Sequence, residues 1–201
     1  MRDRWYGDKR DLVKWGVIFR LASTYRAGKI LQVAYYRPSK WDSLEIDGRQ
    51  YNLPDEVIKH FRDIHNITNL NILAQIDVIG TSFGRVNRLQ YTNRIVTAIR
   101  SCGPDRCIVF LDPDTGLVPS GSAAGRQHVS ESELAVIWTG MRPDDVLVLY
   151  QHQTNRNGQP WVPTKRAQFE DVLGLARGEA KLAQGTAIAP DVAFFYCQKT
   201  V

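Results

Sequence analysis

The chain has 201 residues, 43% hydrophobic and 23% charged, which is the balance of a water-soluble globular fold and fits one α/β domain spanning 1–201. No apolar run approaches the roughly 18–20 residues that cross a bilayer, and the start, Met1-Arg2-Asp3-Arg4-Trp5, has no export signal, so a cytoplasmic protein without a membrane span is expected. Twenty-six basic against twenty-one acidic residues leave a net charge of +5, which permits an RNA or DNA partner without demanding one.

In chain order, residues 10–23 place Leu12, Trp15, Phe19 and Ala22 at helical steps behind the N-cap candidate Asp8. Residues 29–36 (KILQVAYY) have the branched and aromatic content of a strand. The polar stretch 37–52 reads as a long loop with a short hairpin at Asp47-Gly48, and Pro54-Asp55-Glu56 opens a helix carrying Val57, Phe61 and Ile64. A strand is expected over 70–79, then a helix over 86–101 with Leu89, Val96 and Ile99 on one side. Residues 106–111 (RCIVFL) and 146–150 (VLVLY) are continuous apolar runs of the kind buried on both faces of a parallel sheet.

Ser130-Glu131-Ser132-Glu133 spells a capping box for a helix ending near Gly140. A helix over 164–177, closed by Gly178, turns Phe169, Val172, Leu173 and Ala176 inward. The chain ends in an antiparallel pair, 183–188 and 192–198. Strands alternating with helices predict a Rossmann-like open, mostly parallel sheet flanked by helices and ending in an antiparallel β-hairpin.

Such sheets bind ligands beyond the carboxyl ends of their strands. Three strand ends therefore carry the candidates: Asp112-Pro113-Asp114-Thr115-Gly116, then His152 between Gln151 and Gln153, then the loop holding Lys40, Trp41, Asp42 and Asp47. Asp112 and Asp114 can position an amine, act as bases or hold Mg²⁺, and they also suit a turn that caps its own backbone. His152 would project into the same crevice, whereas His60 and His65 read as surface residues and His128 follows a Gly/Ser/Ala-rich loop. Arg37, Lys40, Arg126 and Arg156 are candidate phosphate contacts, with aromatics nearby for base stacking. Three scattered cysteines, Cys102, Cys107 and Cys197, read as reduced thiols, and no structural zinc site is expected. A P-loop and a dinucleotide-binding G-x-G-x-x-G are absent, and a serine-hydrolase elbow is not expected.

IVFL-Asp112-Pro113-Asp114-Thr115 is similar to the D-P-P-Y motif of amino-methyltransferases, and Tyr6-Gly7-Asp8-Lys9-Arg10-Asp11-Leu12-Val13-Lys14-Trp15 is similar to the N-terminal G-N-x-A-D-V-L-K-H stretch of bacterial 23S rRNA adenine-N6 methyltransferases of the J type. With the order of its elements, the chain thus resembles the class I, Rossmann-like methyltransferases over most of its length. The resemblance implies S-adenosylmethionine as cofactor, bordered by Asp11 and Lys14, with Tyr36 and Asp47 completing the cofactor-binding candidates. It also implies Asp112 at the target base; Asp114 and His152 join it as catalytic candidates from their place at the strand ends. The chain departs from the family where D-P-P-Y becomes D-P-D-T and where QVAYYRPSKW offers no glycine after the first strand. Two other readings stand beside it. One is a Mg²⁺-dependent nuclease or phosphohydrolase using Asp112, Asp114 and His152; the other is a non-catalytic nucleic-acid or partner-binding module on the same scaffold.

Overall fold

The computed structural model describes residues 6–38, 43–70, 73–153 and 160–200. Helix α1 (Lys9–Tyr25) leads into β1 (Lys29–Val33), followed by β2 (Ser43–Ile46), β3 (Arg49–Asn52), α2 (Asp55–Arg62), a 3-10 turn (Ile64–Leu70) and β4 (Gln75–Ile79). Then come α3 (Arg88–Arg100), β5 (Cys107–Leu111), the short strands β6 (Gly116–Leu117) and β7 (His128–Val129), and α4 (Glu131–Gly140). Strand β8 (Val146–His152), α5 (Val162–Leu173), β9 (Lys181–Ala183) and β10 (Val192–Gln198) complete the chain.

The main sheet has the order β4-β1-β5-β8-β10-β9. Its first four strands are parallel, while β10 runs antiparallel to both β8 and β9, so the last strand lies between them. This is a Rossmann-like α/β fold with a terminal antiparallel hairpin.

Successive strand residues point to opposite faces. Ile30, Ile108, Phe110, Val146 and Val148 meet Trp15 and Ile18 of α1 on one face. Leu31, Val109, Leu111, Leu147 and Leu149 meet α3, α4 and α5 on the other. Trp15 packs edge to face on Phe110 at 6.1 Å.

Several local signals act as read. Asp8 caps α1 by accepting from the backbone of Arg10 and Asp11, and Ser130 with Glu133 closes the capping box of α4. Asp47 and Gly48 have φ of 51° and 76°, the two-residue turn that joins β2 to β3. At the amino end of the sheet, Asp145 accepts from Cys107 N at 2.8 Å and from Arg142 at 2.9 Å, tying β5 to β8.

The structure differs from expectation where polar residues changed the buried face. Leu12 is 66% exposed and Leu89 75% exposed; α1 buries Asp11, Val13, Lys14, Trp15, Ile18, Leu21 and Ala22, and α3 buries Tyr91, Thr92, Ile95 and Ile99. Helix α2 exposes Val57 and Phe61, while Ile64 is buried from the 3-10 turn that takes the first residue of the expected strand 70–79. Helix α5 stops at Gly174, whose φ of 69° terminates it before Gly178, leaving Ala176 exposed, and of the expected strand 183–188 only Ala183 is in a strand, with a turn at 186–188. Cys102, Cys107 and Cys197 are free thiols. No helix among the described residues is long and apolar enough to cross a membrane.

Replacing Asp145 with alanine should lower stability by about 1–3 kcal/mol, since it strands a buried backbone donor and loosens Arg142. The denaturant midpoint at unchanged m-value measures this.

Candidate functional site

From β1 the chain goes outward to β4 and returns on the other side of β1 as β5, so the strand order reverses between β1 and β5. The connecting segments separate there and leave a crevice at the carboxyl ends. A cavity of about 520 Å³ occupies it, with Arg10 and Lys14 from α1, Arg37 after β1, Asp114 after β5, and Tyr150 and His152 from β8 among its walls.

Lys14, on its wall, belongs to a buried three-charge cluster. Lys14 Nζ lies 3.0 Å from Asp11 and 2.9 Å from Asp112, and Gln32 donates to the other Asp112 oxygen at 3.0 Å. Gly7 N donates to Asp11 at 2.7 Å, and the ammonium sits 4.6 Å over the Tyr150 ring. Burial works against the charge on Lys14, but Asp112 and Asp11 outweigh it and raise the pKa of the ammonium. Burial likewise raises the pKa of the Tyr150 phenol, leaving it protonated. Asp112 is fully buried, so it forms the support beneath the cavity, while Pro113, Asp114 and Thr115 reach its wall.

The turn after β5 is held from two sides. Asp114 pairs with Arg37 across the crevice. The Gln151 amide, fully buried, donates to the carbonyls of Thr115 at 2.7 Å and His152 at 2.9 Å and accepts from Leu117 N at 2.9 Å. Gly116 has φ of 100° and its missing Cβ would lie 2.2 Å from the Gln151 oxygen, so only glycine fits this close approach. Lys165 donates to the carbonyls of Leu117 and Val118 and pins the continuation of the turn, its pKa lowered by burial.

His152 ends β8, its Nε2 3.1 Å from Asp191 in the turn before β10. Arg10 Nε donates to the same Asp191 oxygen at 3.2 Å. Burial works against the Asp191 carboxylate, but Arg10 and His152 prevail and hold its pKa below the ordinary value.

The sequence candidates therefore separate. Asp11, Lys14, Asp112, Asp114, His152 and Arg37 come together at the crevice. Asp47 instead sits exposed in the β2–β3 turn, where its side chain suits the left-handed backbone, and it is absent from the cavity wall. Tyr36 is half-buried beside Ala34 and Ile64. Arg126 is exposed next to Gln127, which lines the cavity. Lys40, Trp41, Asp42 and Arg156 lie outside the described residues. The expected Mg²⁺ set does not converge: Asp112 is engaged by Lys14, Asp114 by Arg37 and His152 by Asp191, and the described residues hold no cluster of three or more His, Cys, Asp or Glu suited to a metal.

Gln151 and Asp191 escaped sequence reading. A glutamine in an apolar strand and an aspartate in a hairpin turn carry no local mark of their partners. Residues 80–84, Gly80-Thr81-Ser82-Phe83-Gly84, do spell G-x-S-x-G, contrary to the expectation that no such elbow would occur. Ser82 is not at positive φ and α3 begins only at Arg88, so the strained strand-to-helix turn of a hydrolase nucleophile is not formed.

No protein-family model matches the chain, and no curated protein matches it. Among solved structures it is similar to PigF with SAH, at 10% sequence identity and a TM-score of 0.38, over 98% of this chain and 61% of that one.

Replacing Lys14 with methionine should cost about 3–5 kcal/mol in urea unfolding, because two buried carboxylates lose their shared counter-charge. A separate pH effect follows from His128, whose Nδ1 accepts from Gly125 N at 3.3 Å. Burial first, then Lys165, Arg88 and Arg37, lower its pKa below 6.5. The unfolded chain then binds the proton more readily, so stability should fall as pH drops through 6.5 toward the lower folded value. A His128→Gln variant should flatten that part of the stability–pH curve.

Proposed function

We propose that the chain is an S-adenosylmethionine-dependent methyltransferase acting on an amino group of a nucleic acid. The observation that carries this reading is the Pro113-Asp114 turn, which borders a cavity of about 520 Å³ at the point where the sheet reverses direction. The residues on its wall suit the cofactor's amino-acid end: Arg10 and Arg37 are donors for a carboxylate, and Asp8 is an acceptor for an ammonium. The turn after β1, usually given to glycine, is made by Tyr35 at φ of 44°. Its ring packs against Phe83 and Tyr91 at 4.9 and 5.3 Å, and none of the three rings lines the cavity. The missing glycine therefore does not fill the crevice.

When bound, the cofactor supplies an electrophilic methyl group. In this reading Asp114 accepts a hydrogen bond from the target amine and directs its lone pair inward, with Arg37 turning from Asp114 toward the incoming ligand. Asp112, buried against Lys14 and Gln32, positions the turn without touching the amine. Arg126, Lys40 and Arg156 are the proposed phosphate contacts, and binding of a strand should weaken with salt.

Calorimetric titration with S-adenosylmethionine and S-adenosylhomocysteine in EDTA tests the reading. Micromolar binding of both is expected, and no heat at millimolar ligand overturns it. Asp114→Asn should keep cofactor affinity within about threefold while methyl transfer to an oligonucleotide falls by about 100-fold or more. Equal loss of both would refute this division of roles.

A further inference from the structure

The transfer reading leaves one group without a task. A neutral amine that gains a methyl group must lose a proton, and Asp114, already engaged in orienting the amine, is a weak base. His152 stands on the same cavity wall. Its ring is fixed at one nitrogen by Asp191 at 3.1 Å, and its backbone is fixed by donation to Thr115 O at 3.1 Å. The next residue, Gln153, donates to the carbonyl of Asp191 at 2.8 Å, and Val192 is paired with His152 across β8 and β10. Carboxylate and imidazole therefore belong to one rigid corner of the sheet.

We propose that His152 is the proton acceptor of this crevice and that Asp191 is its positioning residue. With Nε2–H donating to Asp191, the basic nitrogen is Nδ1. A carboxylate on the far side of an imidazole selects the tautomer and stabilises the imidazolium that forms. Arg10 holds the carboxylate from α1, so the base is oriented by a residue from each end of the chain.

The step balances as follows, and it rests on the transfer reading. The amine lone pair forms the N–C bond, the C–S bonding pair stays on sulfur, the sulfonium becomes a thioether, and the N–H proton passes to His152 Nδ1 before release to water. The charged or titratable groups facing His152 are Asp191 from the β9–β10 turn, Asp8, Arg10 and Lys14 from α1, Arg37 after β1, Asp114 after β5, and Tyr150 on its own strand.

The test has two arms. In the first, long-range ¹H–¹⁵N spectra of the ligand-free protein near pH 8 should show His152 protonated at Nε2, with a slowly exchanging Nε2–H that disappears in Asp191→Asn. An Nδ1–H tautomer, or a spectrum unchanged by the substitution, overturns the pair whether or not the protein transfers methyl groups. In the second, His152→Gln should lower kcat by about 10²–10⁴-fold with S-adenosylmethionine affinity retained. Asp191→Asn should lower kcat less and move the acid limb of the pH–rate profile, which a merely structural role would leave in place. A wild-type rate in His152→Gln overturns the proton-accepting role. Cofactor binding without transfer to any amine in the wild type overturns that role as well, whereas absence of cofactor binding refutes the transfer reading itself.

Discussion

Lys14 holds two buried carboxylates, Asp11 and Asp112, at the base of the crevice. Removing an ion from water costs several kcal/mol, so such a cluster persists only with close geometry and additional hydrogen bonds. Gly7 N and the Gln32 amide supply them. The cluster joins the first turns of α1 to the carboxyl end of β5, the two elements that bound the crevice. Its ammonium also lies on the ring of Tyr150, which brings β8 into the same arrangement.

Above this support, an amide and two arginine–aspartate pairs tie the walls of the crevice. Gln151 holds the Asp112–Leu117 turn through its amide, in space that Gly116 leaves by having no side chain. Arg37 spans the opening to Asp114, and Arg10 reaches Asp191. Side chains from α1, β1, β5, β8 and the terminal hairpin thus meet at one end of the sheet. The antiparallel placement of β10 between β8 and β9 matters here, because it brings the turn at Asp191 to the same end as His152.

Much of the fold was legible because its determinants are local. The apolar runs of β5 and β8, the capping box at Ser130 and the Asp47-Gly48 turn each follow from neighbours within a few residues. Reading was less secure wherever burial involved polar groups. A purely apolar stripe through α1 selects Leu12, which is exposed, and passes over Asp11 and Lys14, which are buried. They pair with each other within α1, but the cluster is completed by Asp112 from the end of β5, and nothing within α1 announces that partner. At the site, Asp114 and His152 could be picked out as residues at strand ends, but Asp112 next to them turned inward as a support.

The sequence by itself determined the alternation of strands and helices, the turn chemistry and the strand ends that bound the crevice, since periodicity and backbone preference act over a few residues. Only the tertiary structure decided which charges neutralise one another, that Asp114 faces the cavity while Asp112 lies beneath it, and that Asp191, 39 residues from His152, is its partner. The physical reason is that a buried charge is tolerated only beside its counter-charge, and the folding of the sheet alone brings such groups within reach.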